Sequence, residues 1–169
     1  MENKLKLTIL LGTARDGRQS EKAAKFVLAE AEKFGFEAKF VDVKDFPLTK
    51  TGRGCSPAWS EIVKGSDGLV IVSPEYNHGY PGELKLLLDS AYDEYLGKPI
   101  GICGLSAGLV GGARMAMALE PVIIELGAIV KRPLVFFPKI QTIFDEAGNT
   151  ADSSFAEKLK LLFENISKK

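Results

Sequence analysis

Short apolar runs rich in β-branched residues alternate along this chain with stretches whose apolar positions recur at helical spacing. Lys4 to Leu11 combines β-branched and leucine residues without helical spacing and stops at Gly12, which predicts a buried strand feeding a tight loop. From Ser20 to Phe34 the positions Ala23, Ala24, Val27, Leu28 and Ala31 fall on one helical face, with Ser20 placed to cap the helix and Gly35 to stop it. The alternation continues with a strand at Phe36 to Val43, a short helix near Ala58 to Lys64, a strand at Gly68 to Ser73 and a helix from about Gly82 to Tyr92. A strand at Pro99 to Leu105, a helix from about Gly112 to Leu126 and a strand at Ala128 to Val130 follow. The C-terminal helix opens with Ser154-Phe155-Ala156-Glu157, the spacing of a capping box.

Five such alternations require crossovers of one hand, which place helices on both faces of a parallel sheet. For five strands the commonest solution is the flavodoxin-like order 2-1-3-4-5, a three-layer α/β sandwich. No internal repeat, low-complexity tract or interdomain linker interrupts residues 1–169, so one domain is expected. Pro133 to Thr150 stands apart, its Pro138 and Gly148 suggesting an irregular excursion at a rim or interface.

Composition narrows the function classes. A chain of 169 residues buries roughly 70% of the surface its unfolded form exposes, enough for a single core. Twenty-two basic residues balance twenty-two acidic ones, without the surplus that nucleic-acid or membrane-surface binding normally demands. The same neutrality argues against a small electron-shuttling flavodoxin, a class that is typically strongly acidic. Cys55 and Cys103 alone make neither a disulfide framework nor a zinc site, so a reducing cytoplasm is the default location. The apolar run near Met1 is too short, and too interrupted by Lys6, for a secretory leader, and no later stretch approaches membrane-spanning length.

In this topology the loops after the first, third and fourth strands lie side by side, and ligands bind where the strand order reverses. The first, Gly12 to Ser20, carries two hydroxyls, two guanidinium groups and two glycines just ahead of a helix, where free N–H groups and the helix dipole attract a phosphate. Arg15 offers a forked donor there, and Thr13 and Ser20 offer hydroxyls. The plainer alternative makes Ser20 only a cap and leaves the arginines solvated. The loop lacks GxxxxGK[ST], which excludes a nucleoside-triphosphatase. The second, Pro74 to Gly82 (PEYNHGYPG), mixes a rigid proline, an amide, two tyrosines, two glycines and the only histidine, and it suits the close approach of a flat ligand. As a plain crossover it would need none of this chemistry, and His78 reads better as a rim residue than as a general base. The third, Ser106 to Gly112, is glycine-rich and gains weight from its position beside the other two.

These residues resemble the NADPH-dependent FMN reductase family, which includes flavin, quinone, azo and chromate reductases. Gly12-Thr13-Ala14-Arg15 with Ser20 is similar to the family's phosphate signature, and Pro74-Glu75-Tyr76-Asn77 through Leu84-Lys85 to its second signature. The resemblance implies that Thr13, Arg15 and Ser20 hold the FMN phosphate, with Arg18 and Gln19 matching more loosely. It implies that Pro74, Glu75, Tyr76, Asn77 and His78 line the isoalloxazine and that Ser106, Gly108 and Gly111 approach it from the third loop. Family members often follow Leu-Lys with Asn-Ala, whereas this chain has Leu86-Leu87, a departure that reads as helix packing or dimer surface. The resemblance further implies electron transfer from NADPH or NADH through FMN to a small acceptor by a ping-pong mechanism, in a homodimer or homotetramer. An FMN-binding electron carrier and a redox-sensing partner remain as alternatives.

Overall fold

The computed structural model describes residues 4–168. Six parallel strands, β1 (Lys6–Leu11), β2 (Glu37–Asp42), β3 (Gly68–Pro74), β4 (Pro99–Leu105), β5 (Ile129–Val130) and β6 (Val135–Phe137), form one sheet in the order β2-β1-β3-β4-β5, with β6 also paired to β4. This is the expected 2-1-3-4-5 order. Five helices cover the sheet: α1 (Ser20–Phe34), α2 (Pro57–Lys64), α3 (Gly82–Leu88), α4 (Ala113–Glu125) and α5 (Ser154–Ser167). Among the described residues, no helix is long and apolar enough to cross a membrane.

The period-two alternation of the strands divides the core between the two faces. Ile9 and Leu11 of β1 and Val70 and Val72 of β3 pack with Ala23, Val27 and Ala31 of α1 and with Leu159, Leu162 and Phe163 of α5. Leu10, Leu69 and Ile71 face the other way, against Trp59 of α2, Leu84 and Leu87 of α3, and Met115, Leu119 and Ile123 of α4. Every residue of β3 is buried, as a central parallel strand covered on both sides must be.

The Pro133 to Thr150 excursion is in part a strand. Ile129 and Val130 pair with Pro99 and Ile100, whereas Val135, Phe136 and Phe137 pair with Cys103, Gly104 and Leu105. Thus β5 and β6 are two halves of one edge strand, with two extra residues between them relative to β4. Lys139 and Ile140 then return N–H bonds to the carbonyls of Gly108 and Ser106, which makes the segment after β6 a wall of the third loop.

Local expectations hold in some places and fail in others. Helix α1 and strand β4 keep their expected bounds, and Gly35 closes α1 at a φ of 115°. Ser20, however, is the first helical residue and caps nothing; Gln19 precedes it without a side-chain bond. At α5 the cap position falls to Ser153, and the Asp152 carboxylate accepts the Ser154 N–H at 2.9 Å, so the expected capping box does not form. Helix α3 stops at Leu88 because the buried Ser90 hydroxyl donates to the Leu87 carbonyl and a separate turn, Asp93–Tyr95, then buries Tyr95. Of the departing pair, Leu87 is core and Leu86 is half-buried.

Candidate functional site

Strands β3 and β4 end in register at Pro74 and Leu105, β1 stops two residues earlier opposite Val72, and the three loops that leave them at the carboxyl edge are tied together there. The Thr13 hydroxyl on the first loop lies 3.1 Å from the Tyr76 hydroxyl on the second. Glu75 of the second donates its backbone N–H to the Leu105 carbonyl at the head of the third, at 2.9 Å. Its carboxylate, nearly buried, accepts from Arg114 Nε at 2.7 Å, which fastens the loop to the first turn of α4. The second carboxylate oxygen of Glu75 is buried and has no partner among the described residues.

In the first loop the hydroxyls and guanidinium groups divide into an inward and an outward set. Thr13 is fully buried; its hydroxyl donates to Glu83 and accepts the Arg15 N–H at 3.3 Å. Arg18 points inward, its guanidinium forked onto Asp42 at the end of β2 and bonded to the Thr13 carbonyl, with only 5% of the side chain exposed. It therefore supports the loop from beneath and has few donors left for a ligand. Arg15 and Gln19 are exposed. The Ser20 hydroxyl is buried without a partner at the start of α1, where the N–H groups of Gln19 and Ser20 also meet no acceptor among the described residues. An orphaned buried hydroxyl beside unpaired N–H groups at the N-terminus of a fifteen-residue helix is a place for an anion. A concavity of about 120 Å³ opens on this loop beside Arg15, Gly17 and Lys44.

In the second loop, Tyr76 and Gly79 exchange both backbone hydrogen bonds at 2.9 Å. Between them Asn77 (φ 49°) and His78 (φ 66°) both lie in the left-handed region. This is a type I′ turn, which needs positive φ at its two central residues. The turn holds Asn77 and His78 out in solvent while Pro74 stays buried at the sheet edge. A Cβ on Gly82 would meet nothing within 4 Å, so the surface here is open to a close approach.

In the third loop Ser106 is half-buried and Gly108 exposed, but Gly111 serves packing. A Cβ there would lie 2.9 Å from Phe136 Cβ and from Pro138 N, so its missing side chain admits β6. Leu109 and Val110 are exposed, and Met117 and Ile124 continue the apolar exposure along α4. Larger cavities lie elsewhere: one of about 440 Å³ sits at the amino ends of the strands, bounded by Gly68, Lys98 and Ile166. It is remote from the strand ends where the order reverses, and the convergent donors above mark the site better than volume does.

The profile of the NADPH-dependent FMN reductase family matches residues 5–142. The chain belongs to that family. Among relatives, it is 32% identical to the quinone reductase of Escherichia coli K12 over 94% of this chain and 92% of that one. It is 30% identical to an NAD(P)H-dependent FMN reductase of Schizosaccharomyces pombe over 84% of this chain and 80% of that protein. FerB of Paracoccus denitrificans, a flavoenzyme NAD(P)H:(acceptor) oxidoreductase, superposes with a TM-score of 0.79 over 97% of this chain and 98% of its own, at 20% identity. As an FMN reductase family member the protein is an oxidoreductase that uses FMN and a reduced nicotinamide.

The orphaned Ser20 hydroxyl, the unpaired helix-start N–H groups and the open type I′ turn fit the phosphate and the ring of FMN respectively. Two features escaped the sequence: the inward turn of Arg18 and the carboxylate of Glu83 against the first loop. Only the position of Glu83, in the first turn of a helix that follows the second loop, hinted at the latter.

Proposed function

We propose that this chain carries electrons from NADPH or NADH, through FMN held by the three carboxyl-edge loops, to a small acceptor such as a quinone, flavin, azo compound or metal oxyanion. The supporting observation is the convergence of an anion site at the start of α1 with the exposed turn of the second loop on one sheet edge. In this reading Arg15, Ser20 and the N–H groups of Gln19 and Ser20 take the phosphate, while Thr13 and Arg18 shape the loop beneath it. Pro74, Glu75, Tyr76, Asn77 and His78 border one side of the ring, and Ser106, Gly108 and the backbone beside Gly111 border the other.

When bound, FMN supplies the hydride and electron chemistry, so no acid or base of the polypeptide is obligatory. The chain's contribution is positional. Backbone donors of the second and third loops stabilise negative charge at the ring's polar edge, and their fixed geometry makes this stabilisation available without reorganisation. With the ring bordered by the second and third loops on one open sheet edge, donor and acceptor would occupy the same site in turn, so ping-pong kinetics with parallel initial-rate lines are expected; intersecting lines count against it. The exposed apolar residues Leu109 and Val110 of the third loop and Met117 and Ile124 of α4 favour a homodimer or homotetramer with its sites close to the interface.

The decisive experiment is an absorption spectrum of the protein reconstituted with FMN, followed by anaerobic addition of NADPH or NADH. A flavin spectrum that bleaches supports the proposal, and absence of bound flavin refutes it. Arg15→Ala should weaken FMN binding by about 1.5 to 3 kcal/mol through loss of charge-assisted hydrogen bonds. Unchanged affinity would remove Arg15 from the phosphate site.

A further inference from the structure

Glu83 stands in the first turn of α3, yet its carboxylate does not face solvent alone. One oxygen, Oε1, accepts the Ala14 N–H at 2.9 Å and the Thr13 hydroxyl at 3.1 Å. Both donors belong to the loop read above as the phosphate loop, and the inference rests on that reading. Because Thr13 donates its one hydroxyl proton to Glu83, that hydroxyl has none left for a phosphate oxygen. Arg18 is held by Asp42, and among the described residues no cation forms an ion pair with Glu83. The first loop thus already holds an anion supplied by the chain itself.

We infer that Glu83 is an internal competitor for the phosphate loop, a carboxylate that FMN must displace or face at close range. A ligand phosphate beside this carboxylate meets like-charge repulsion, and withdrawal of Glu83 would return the Ala14 N–H to the ligand. Glu83 therefore weakens FMN binding selectively through the phosphate and leaves the ring contacts unchanged. Glu83 specifies a flavin that is held loosely and exchanges with solution.

The test compares FMN with riboflavin, which has the same ring and no phosphate. Dissociation constants of both are measured by flavin fluorescence quenching on the full chain, for wild type and for Glu83→Gln. Gln keeps an oxygen to accept the Ala14 N–H and removes the charge. The inference expects FMN to bind about tenfold or more tightly to the variant while riboflavin affinity stays the same. Unchanged or weaker FMN binding by a variant with wild-type thermal stability overturns it, because Glu83 is then only a tether between loops. Equal tightening of both flavins also overturns it. Glu83→Ala supplies a second variant, in which the FMN-to-riboflavin affinity ratio must also rise. Failure of the underlying site reading looks different: wild type would then bind FMN no better than riboflavin, and Arg15→Ala would change neither.

Discussion

Gly112, the residue ahead of α4, has a φ of 84°, and a Cβ built there would lie 2.4 Å from Leu105 N and 2.9 Å from Gly104 C and Leu105 O. These neighbours are backbone of β4, which cannot rotate away as a side chain would. Gly112→Ala therefore incurs two separable costs. Left-handed backbone costs an L-residue about 1 to 2 kcal/mol. Relief of the contact by shifting the first turn of α4 away from β4 adds about 1 to 3 kcal/mol, the usual range for overpacking. Gly97→Ala isolates the first cost, since Gly97 has a φ of 70° and nothing within 4 Å of its virtual Cβ. Urea unfolding at constant m should place Gly112→Ala below Gly97→Ala by about 1 to 3 kcal/mol. The shift also moves Ser106 to Gly111, so flavin affinity should fall in Gly112→Ala and not in Gly97→Ala. Equal stability of the two variants within about 0.5 kcal/mol would refute the steric argument and with it the close docking of the third loop on β4.

Arg18→Ala leaves the Asp42 carboxylate, 7% exposed, without its forked partner and should cost about 3 to 5 kcal/mol in urea unfolding, whereas Arg15→Ala should leave stability within about 0.5 kcal/mol. Equal effects would mean that the inward and outward assignments are wrong. Burial raises both the Cys103 thiol and the Tyr95 phenol above their ordinary ionisation range. The unfolded chain therefore releases these protons first, so stability is fully present below the unfolded values, about 8.5 for Cys and about 10 for Tyr, and falls as pH rises through them. The slope should approach about 1.4 kcal/mol per pH unit for each group, and Cys103→Ala should abolish the earlier component. A profile flat from neutrality to strong alkali would contradict their burial. Tyr95→Phe should cost about 1 to 3 kcal/mol, because it orphans the Trp59 Nε1–H that the phenol accepts at 2.6 Å.

What the sequence disclosed and what it withheld follow from the range of the interactions involved. Helix α1 was readable because its apolar face, its length and its stop at Gly35 are all local signals. The strand order was readable because crossover handedness and strand count leave few topologies, and the order in turn brought the three loops together. Strand β6 was not readable: it has three residues between Pro133 and Pro138, and only its partner β4, some thirty residues away, makes it a strand. Gly111 carried the right residue type with a different reason, since the glycine admits β6 there.

The first loop shows the same division most sharply. Its two arginines stand three positions apart on either side of Asp16-Gly17, and although the resemblance favours Arg15 for the phosphate, nothing local says that Arg18 turns inward. Asp42, at the end of a strand that pairs with β1, decides it by offering a buried carboxylate to Arg18, because a buried carboxylate without a partner would cost more than the arginine gains from solvent. Glu83, brought back by the β3–α3 crossover, decides the state of Thr13 in the same way. The ligand-facing character of a loop residue is thus set by which charged groups the sheet delivers beside it. For that reason Arg15, left without a carboxylate, and Ser20, left without any partner, are the side chains of this loop on which flavin affinity should depend most directly.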